Sequence, residues 1–244
     1  MHEFTEQEEC AIGQEIATKL LSAHPAVSDL AVQRKIMRIG QLIASHSERA
    51  QLDWKFTVLD DTAIYMLAAP GGLVFISNGL LSKVRAEDEL AGILAHGIAH
   101  VLKKHQLAII NMKVRAILGD KMMEQLAAKS NPQMAGAMQM ATAQARAMQM
   151  RQMEMENELD ADHVAIDLIA RAGYKATGLP ALLQSLIRAD TDGSATQASK
   201  ALQTQLVAAP AVPNDTTLPI EMLENQAVLA QRIHALTLDS KTPE

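Results

Sequence analysis

The chain has 244 residues, nearly half of them hydrophobic, and a formal net charge of −6. Acidic and basic side chains are interspersed, which excludes the basic stripe that nucleic acid needs and a polybasic anchor for a membrane surface. No apolar run approaches the ~20 residues that span a bilayer, so no transmembrane segment is expected.

This length buries a sizeable core, and no linker interrupts it, so residues 1–244 read as a single domain. Met1 leads straight into the polar stretch Glu3 to Glu9, which carries no signal peptide and predicts a cytoplasmic protein as the chain stands. Cys10 is the only cysteine, so neither an internal disulfide nor a Cys-rich zinc cluster is expected, and it is assigned to a helix interior.

Helical spacing of Ile12, Ile16, Leu20 and Leu21 predicts a first helix from Glu6 to His24, and Ile36, Ile39 and Ile43 predict a second from Ala31 to His46. The pattern then changes to short strands at Phe56 to Leu59, Ala63 to Ala68 and Leu73 to Ile76, with Pro70-Gly71-Gly72 as a hairpin turn between the last two. The acidic triplet Glu87, Asp88 and Glu89 suits a helix N-terminus and opens a helix predicted to reach about His105. Helices from Ile109 to Lys129 and from Met134 to Ala172 follow, separated by Asn131-Pro132. A helix over Leu179 to Ile187, a Pro-containing loop over 208–219 and shorter helices near Leu202 and Ala227 complete the prediction. No internal repeat is present.

The helix opened by Glu87 carries His96-Gly97-Ile98-Ala99-His100. Two histidines spaced HxxxH leave one helix face together and can hold one metal ion. A bare pair of this kind is more often two core histidines, so a third ligand decides the matter. Glu158 and Asp162, one turn apart on a later helix, supply a candidate ligand and a carboxylate able to accept the ring N–H of a ligating histidine. Gly97 takes the place of the glutamate that, in HExxH, accepts a proton from metal-bound water. His105 is read as a cation suited to a helix C-terminus, and His163 as a surface or peripheral residue. The Met-x-Met pairs from Met138 to Met155 diverge around a helix, so they are read as adaptable apolar packing rather than copper ligands.

These residues resemble metallopeptidase family 48, which includes bacterial envelope peptidases and the CAAX prenyl proteases. The resemblance runs from about Glu8 to Arg188. It rests on Leu90 to His96 leading into His100-Val101-Leu102, on Ala69-Pro70-Gly71-Gly72 before Val74-Phe75-Ile76 and Asn78-Gly79-Leu80-Leu81, and on Asn157-Glu158 through Asp162 followed by Ala170 to Tyr174. It implies an α+β, mainly helical, zincin-like fold with a small sheet beside the active-site helix. It further implies one zinc ion on His96, His100 and Glu158, Asp162 as a supporting carboxylate, and a peptide or unfolded-protein substrate aligned on an edge strand formed by Leu73, Val74, Phe75 and Ile76. A periplasmic or envelope location is implied if a leader has been removed.

Three departures from the family pattern, at Gly97, Tyr65 and Leu218, predict that hydrolysis is weak or lost. The alternatives are an active metalloendopeptidase drawing its base from elsewhere, such as Asp215, and a metal-free peptide-binding or chaperone-like module.

Overall fold

The Thr5 hydroxyl accepts the Glu8 amide while the Glu8 carboxylate accepts the Thr5 N–H, and this reciprocal cap starts the first helix. The computed structural model describes residues 3–127 and 132–190 together with Arg232 and Ala235. Within it α1 spans Glu6–Ala23 and α2 spans Leu30–Ala44, the latter capped by the Asp29 carboxylate on the Ala31 and Val32 amides. Strands β1 (Lys55–Leu59), β2 (Met66–Ala69) and β3 (Leu73–Ser77) follow, then α3 (Asn78–Leu81), α4 (Glu87–Leu102), α5 (His105–Ala127), α6 (Pro132–Arg171) and α7 (Gly178–Asp190). The result is the mainly helical α+β arrangement that the sequence predicts.

The sheet runs in the order β1-β3-β2, with β1 parallel and β2 antiparallel to β3. Gly71 (φ 82°) and Gly72 (φ 94°) take up the left-handed backbone of the β2–β3 turn, where a side chain would be strained. One face of the sheet presents Tyr65, Leu67, Ala69 and Phe75 to Ile16 and Leu20 of α1. The other presents Phe56, Val58, Met66, Val74 and Ile76 to α2 and α4, with α6 and α7 packed beyond. Every residue of α4 from Glu89 to Val101 is buried, so this helix is wrapped on all sides. At roughly 1.5–3 kcal/mol for each fully buried Ile or Leu, its apolar side chains are a main source of stability. No helix among the described residues is long and apolar enough to cross a membrane.

Four expectations are corrected. Leu73 to Ile76 is the central strand, not an edge: β1 occupies one side and β2 the other, so its backbone cannot align a peptide. The motif helix stops at Leu102 instead of reaching His105, because Lys104 adopts φ 55° and the chain restarts as α5 at His105. Cys10 is exposed, since α1 buries the stripe Glu9, Gly13, Ile16 and Leu20 and leaves Cys10 beside it. Tyr65 is buried on the α1 face of the sheet, where its hydroxyl donates to Asp61 Oδ2 at 3.0 Å, so this departure does not border the motif helix. Leu218, Asp215, the 208–219 loop and the helices near Leu202 and Ala227 lie outside the described residues.

Candidate metal centre

Helical periodicity places His96 and His100 on the side of α4 that faces α6, and the same periodicity on α6 returns Glu158 and Asp162 toward them. His96 Nε2 lies 2.9 Å from His100 Nε2 and 3.3 Å from Glu158 Oε2, and His100 Nε2 lies 3.4 Å from Glu158 Oε1. A tetrahedral zinc with bonds of ~2.0–2.1 Å has ligand-to-ligand edges of about 3.3 Å, so this triangle fits the ion closely. Among the described residues, these three form the cluster of potential ligands.

Each histidine is held from behind. His96 Nδ1 donates to Asp162 Oδ1 at 2.8 Å, which leaves Nε2 for the metal. His100 Nδ1 lies 3.0 Å from His105 Nδ1, and His105 Nε2 lies 3.3 Å from Asp160 Oδ2. His163 is exposed.

A residue that sequence reasoning missed completes the site. Arg232 is 2% exposed, and its guanidinium donates to both oxygens of Asp162 at 2.7 Å. A third nitrogen lies 2.8 Å from Glu158 Oε2. Its signal in the sequence is slight, a single arginine among Ala227, Leu229 and Ala235, and nothing local connects it to helices so far upstream.

These partners set the charges. Burial would raise Asp162, but Arg232 and His96 bring its pKa down to about 2. Burial would also raise Glu158, yet Arg232 and His100 hold it well below the usual carboxylate range. Burial and Arg232 oppose a proton on His96, while Asp162 and Glu158 outweigh them and push its pKa up to about 9. Burial and the neighbouring His96 keep His100 neutral, well below the ordinary imidazole value.

A protonated His96 would carry a hydrogen on Nε2, the nitrogen that faces His100 where a metal would sit. Zinc must displace that hydrogen, so the bound state carries fewer protons and binding strengthens as pH rises. Zinc affinity is expected to climb by about tenfold per pH unit from neutrality to about pH 9, with about one proton released per ion. Calorimetry in buffers of different ionisation enthalpy measures this release directly; heats that do not depend on the buffer would show that His96 is already neutral.

Gly97 sits on the sheet side of α4. A Cβ built there would lie 2.7 Å from Val74 Cγ1 and 3.0 Å from Met66 Sδ, so side chains from β3 and β2 fill the space next to the glycine.

A His-His-Glu triangle between two helices, beside a small sheet, is the ligand arrangement of a zincin-type metal site. Residues 30–237 match Peptidase family M48, and the chain belongs to that family. Zinc is the metal its members use. Among curated relatives, the chain is 26% identical over 182 residues to the putative beta-barrel assembly-enhancing protease of Vibrio cholerae, covering 72% of this chain and 37% of that protein. It is 24% identical over 187 residues to the beta-barrel assembly-enhancing protease of Escherichia coli K12, covering 74% and 38%. A shorter match of 34% over 70 residues, 29% of this chain and 21% of the relative, joins it to the mitochondrial metalloendopeptidase OMA1 of Schizosaccharomyces pombe. The chain thus spans well under half the length of these relatives.

Proposed function

We propose that this protein holds one zinc ion on His96, His100 and Glu158, binds a peptide or unfolded protein segment beside it, and hydrolyses that segment weakly or not at all. The observation that carries the reading is Gly97, at the position where HExxH places its general base, with Val74 and Met66 packed against it. When bound, zinc acidifies a water and polarises the scissile carbonyl. The chain's own residues hold the ion and orient its ligands, but the proton shuttle to the leaving amine has no carboxylate at position 97.

Three carboxylates at the triangle are already engaged. Glu158 faces the metal position, Asp162 binds Arg232 and His96, and Asp160 faces Lys103 and His105. Losing a positioned base costs on the order of 10²–10⁴ in rate. The backbone of a bound segment would run along β2, the sheet edge beside α4, rather than along the central β3.

A second reading, hydrolysis with a borrowed base, is favoured by Glu154. It stands one turn before Glu158 on α6 at an exposed position, and partial desolvation together with the Glu158 charge holds its carboxyl above the ordinary value, against the pull of Lys113 and Arg151. Casein cleavage by the zinc-loaded chain, with a chelator control, separates the two. The first reading expects about one zinc per chain and cleavage at least ~10²-fold below a glutamate-containing relative. Chelator-sensitive cleavage at the relative's rate would overturn it, and its loss in Glu154→Gln would support the second. A folded chain that takes up no zinc would overturn both.

A further inference from the structure

We infer that His105 is a positioning residue of the metal centre: it fixes the ring of His100 from behind, and Asp160 and Lys103 fix it in turn. This rests on the reading of His96, His100 and Glu158 as the zinc ligands. His105 meets His100 through Nδ1, whereas the triangle uses His100 Nε2, so His105 lies on the side of the ring away from the ion and is not itself a ligand.

The donors and acceptors form one directed series. With Nε2 of His100 given to the metal, its Nδ1 carries the hydrogen and donates to His105 Nδ1 at 3.0 Å. That leaves the hydrogen of His105 on Nε2, which faces Asp160 Oδ2 at 3.3 Å, while Lys103 Nζ donates to Asp160 Oδ1 at 3.0 Å. Any other tautomer of His105 would oppose two N–H groups or two lone pairs across the 3.0 Å contact. His96 reaches the same state with one partner, the buried Asp162. The two ligating rings are thus oriented by two separate devices of the kind that tune zinc sites.

The backbone between α4 and α5 serves this placement. Lys104 is the one non-glycine residue with positive φ among the described residues, at 55°, a conformation that residues bearing a Cβ seldom adopt. Its ammonium is paired with Glu9 of α1, a carboxylate 1% exposed that also binds Arg49 at 2.9 Å. A helix continued through Lys103 and Lys104 would carry His105 past His100. The left-handed residue turns the chain back so that His105, 6% exposed, opens α5 against the His100 ring.

The test is zinc affinity, measured by competition with a chromogenic chelator, on the full chain and four variants, with circular dichroism to check folding. His105→Phe fills the same space without a hydrogen bond and is expected to bind zinc about 10–100-fold more weakly. His105→Gln, whose amide accepts from His100 and donates to Asp160, is expected to restore most of that loss. Asp160→Asn, at a side chain 43% exposed and safe for folding, is expected to weaken binding by about two- to tenfold. The cobalt(II) form of each variant should shift its visible bands, because the geometry of a ligand has changed. Wild-type affinity in both His105→Phe and Asp160→Asn would overturn the inference alone. If His105→Phe fails to fold, Asp160→Asn decides by the same criterion. A wild type that binds no zinc, or whose binding survives His100→Ala, would overturn the underlying metal reading.

Discussion

Gly97→Glu is expected to lose stability and to gain little cleavage unless Val74 is trimmed as well. The first carbon of the new side chain would already stand 2.7 Å from Val74 Cγ1, a β-branched side chain on the central strand with no easy rotamer to retreat to. Met66 Sδ, at 3.0 Å, sits on a more flexible side chain and can move. Overpacking of this sort costs about 1–3 kcal/mol, and the ~1 kcal/mol by which glycine disfavours a helix interior offsets only part of it. A fall in Tm of about 2–6 °C is the expected reading. In Gly97→Glu with Val74→Ala the two changes should couple favourably, because the methyl groups removed are those that the glutamate displaces. The double variant should then show chelator-sensitive casein cleavage about 10²-fold or more above the single one. If the single variant is as stable as the wild type and cleaves as well as the double, Val74 is no obstacle and the site is one residue from activity.

Arg232→Leu is expected to have the larger effect, and zinc should reverse part of it. In the metal-free protein the guanidinium neutralises Asp162, fully buried, and Glu158, largely buried, at 2.7 and 2.8 Å. Removing one side of a buried ion pair strands the other and typically costs about 3–5 kcal/mol. Zinc bound to His96, His100 and Glu158 returns positive charge to the same place. The Tm gain on adding zinc should therefore be greater for Arg232→Leu than for the wild type, a difference that thermal melts with and without the metal can read. A loss below ~1 kcal/mol in the metal-free variant would mean that Arg232 does not hold these carboxylates in solution.

What was legible in the sequence was local. His96 and His100 on one helix, and Glu158 and Asp162 on another, were paired by helical periodicity, and the structure brings all four together. The Pro70-Gly71-Gly72 turn announced the β2–β3 hairpin for the same reason. The centrality of Leu73 to Ile76 was not legible, because β1 joins β3 through a crossover that no local pattern records, and an apolar run reads alike at the edge and in the middle. The place of His105 at the start of α5 is not legible either, because Lys104 breaks a helix without glycine or proline and is held instead by a charge on α1. Arg232 could not be found for a related reason: its partners are on α6, and chemical type alone does not say that a cation will be buried.

The pairing of Glu9 with Lys104 also bears on where the cooperative unit of this protein begins. The family match starts at residue 30, after α1 has ended. Yet α1 roofs the sheet face that carries Tyr65, Leu67 and Phe75, and through Glu9 it anchors the turn that sets His105 against His100. A fragment cut at the family boundary would uncover an apolar sheet face and release that turn in the same stroke. The helix that lies before the family match is thus an architectural part of the candidate metal site, and an excised domain has to include Thr5 to retain its cap.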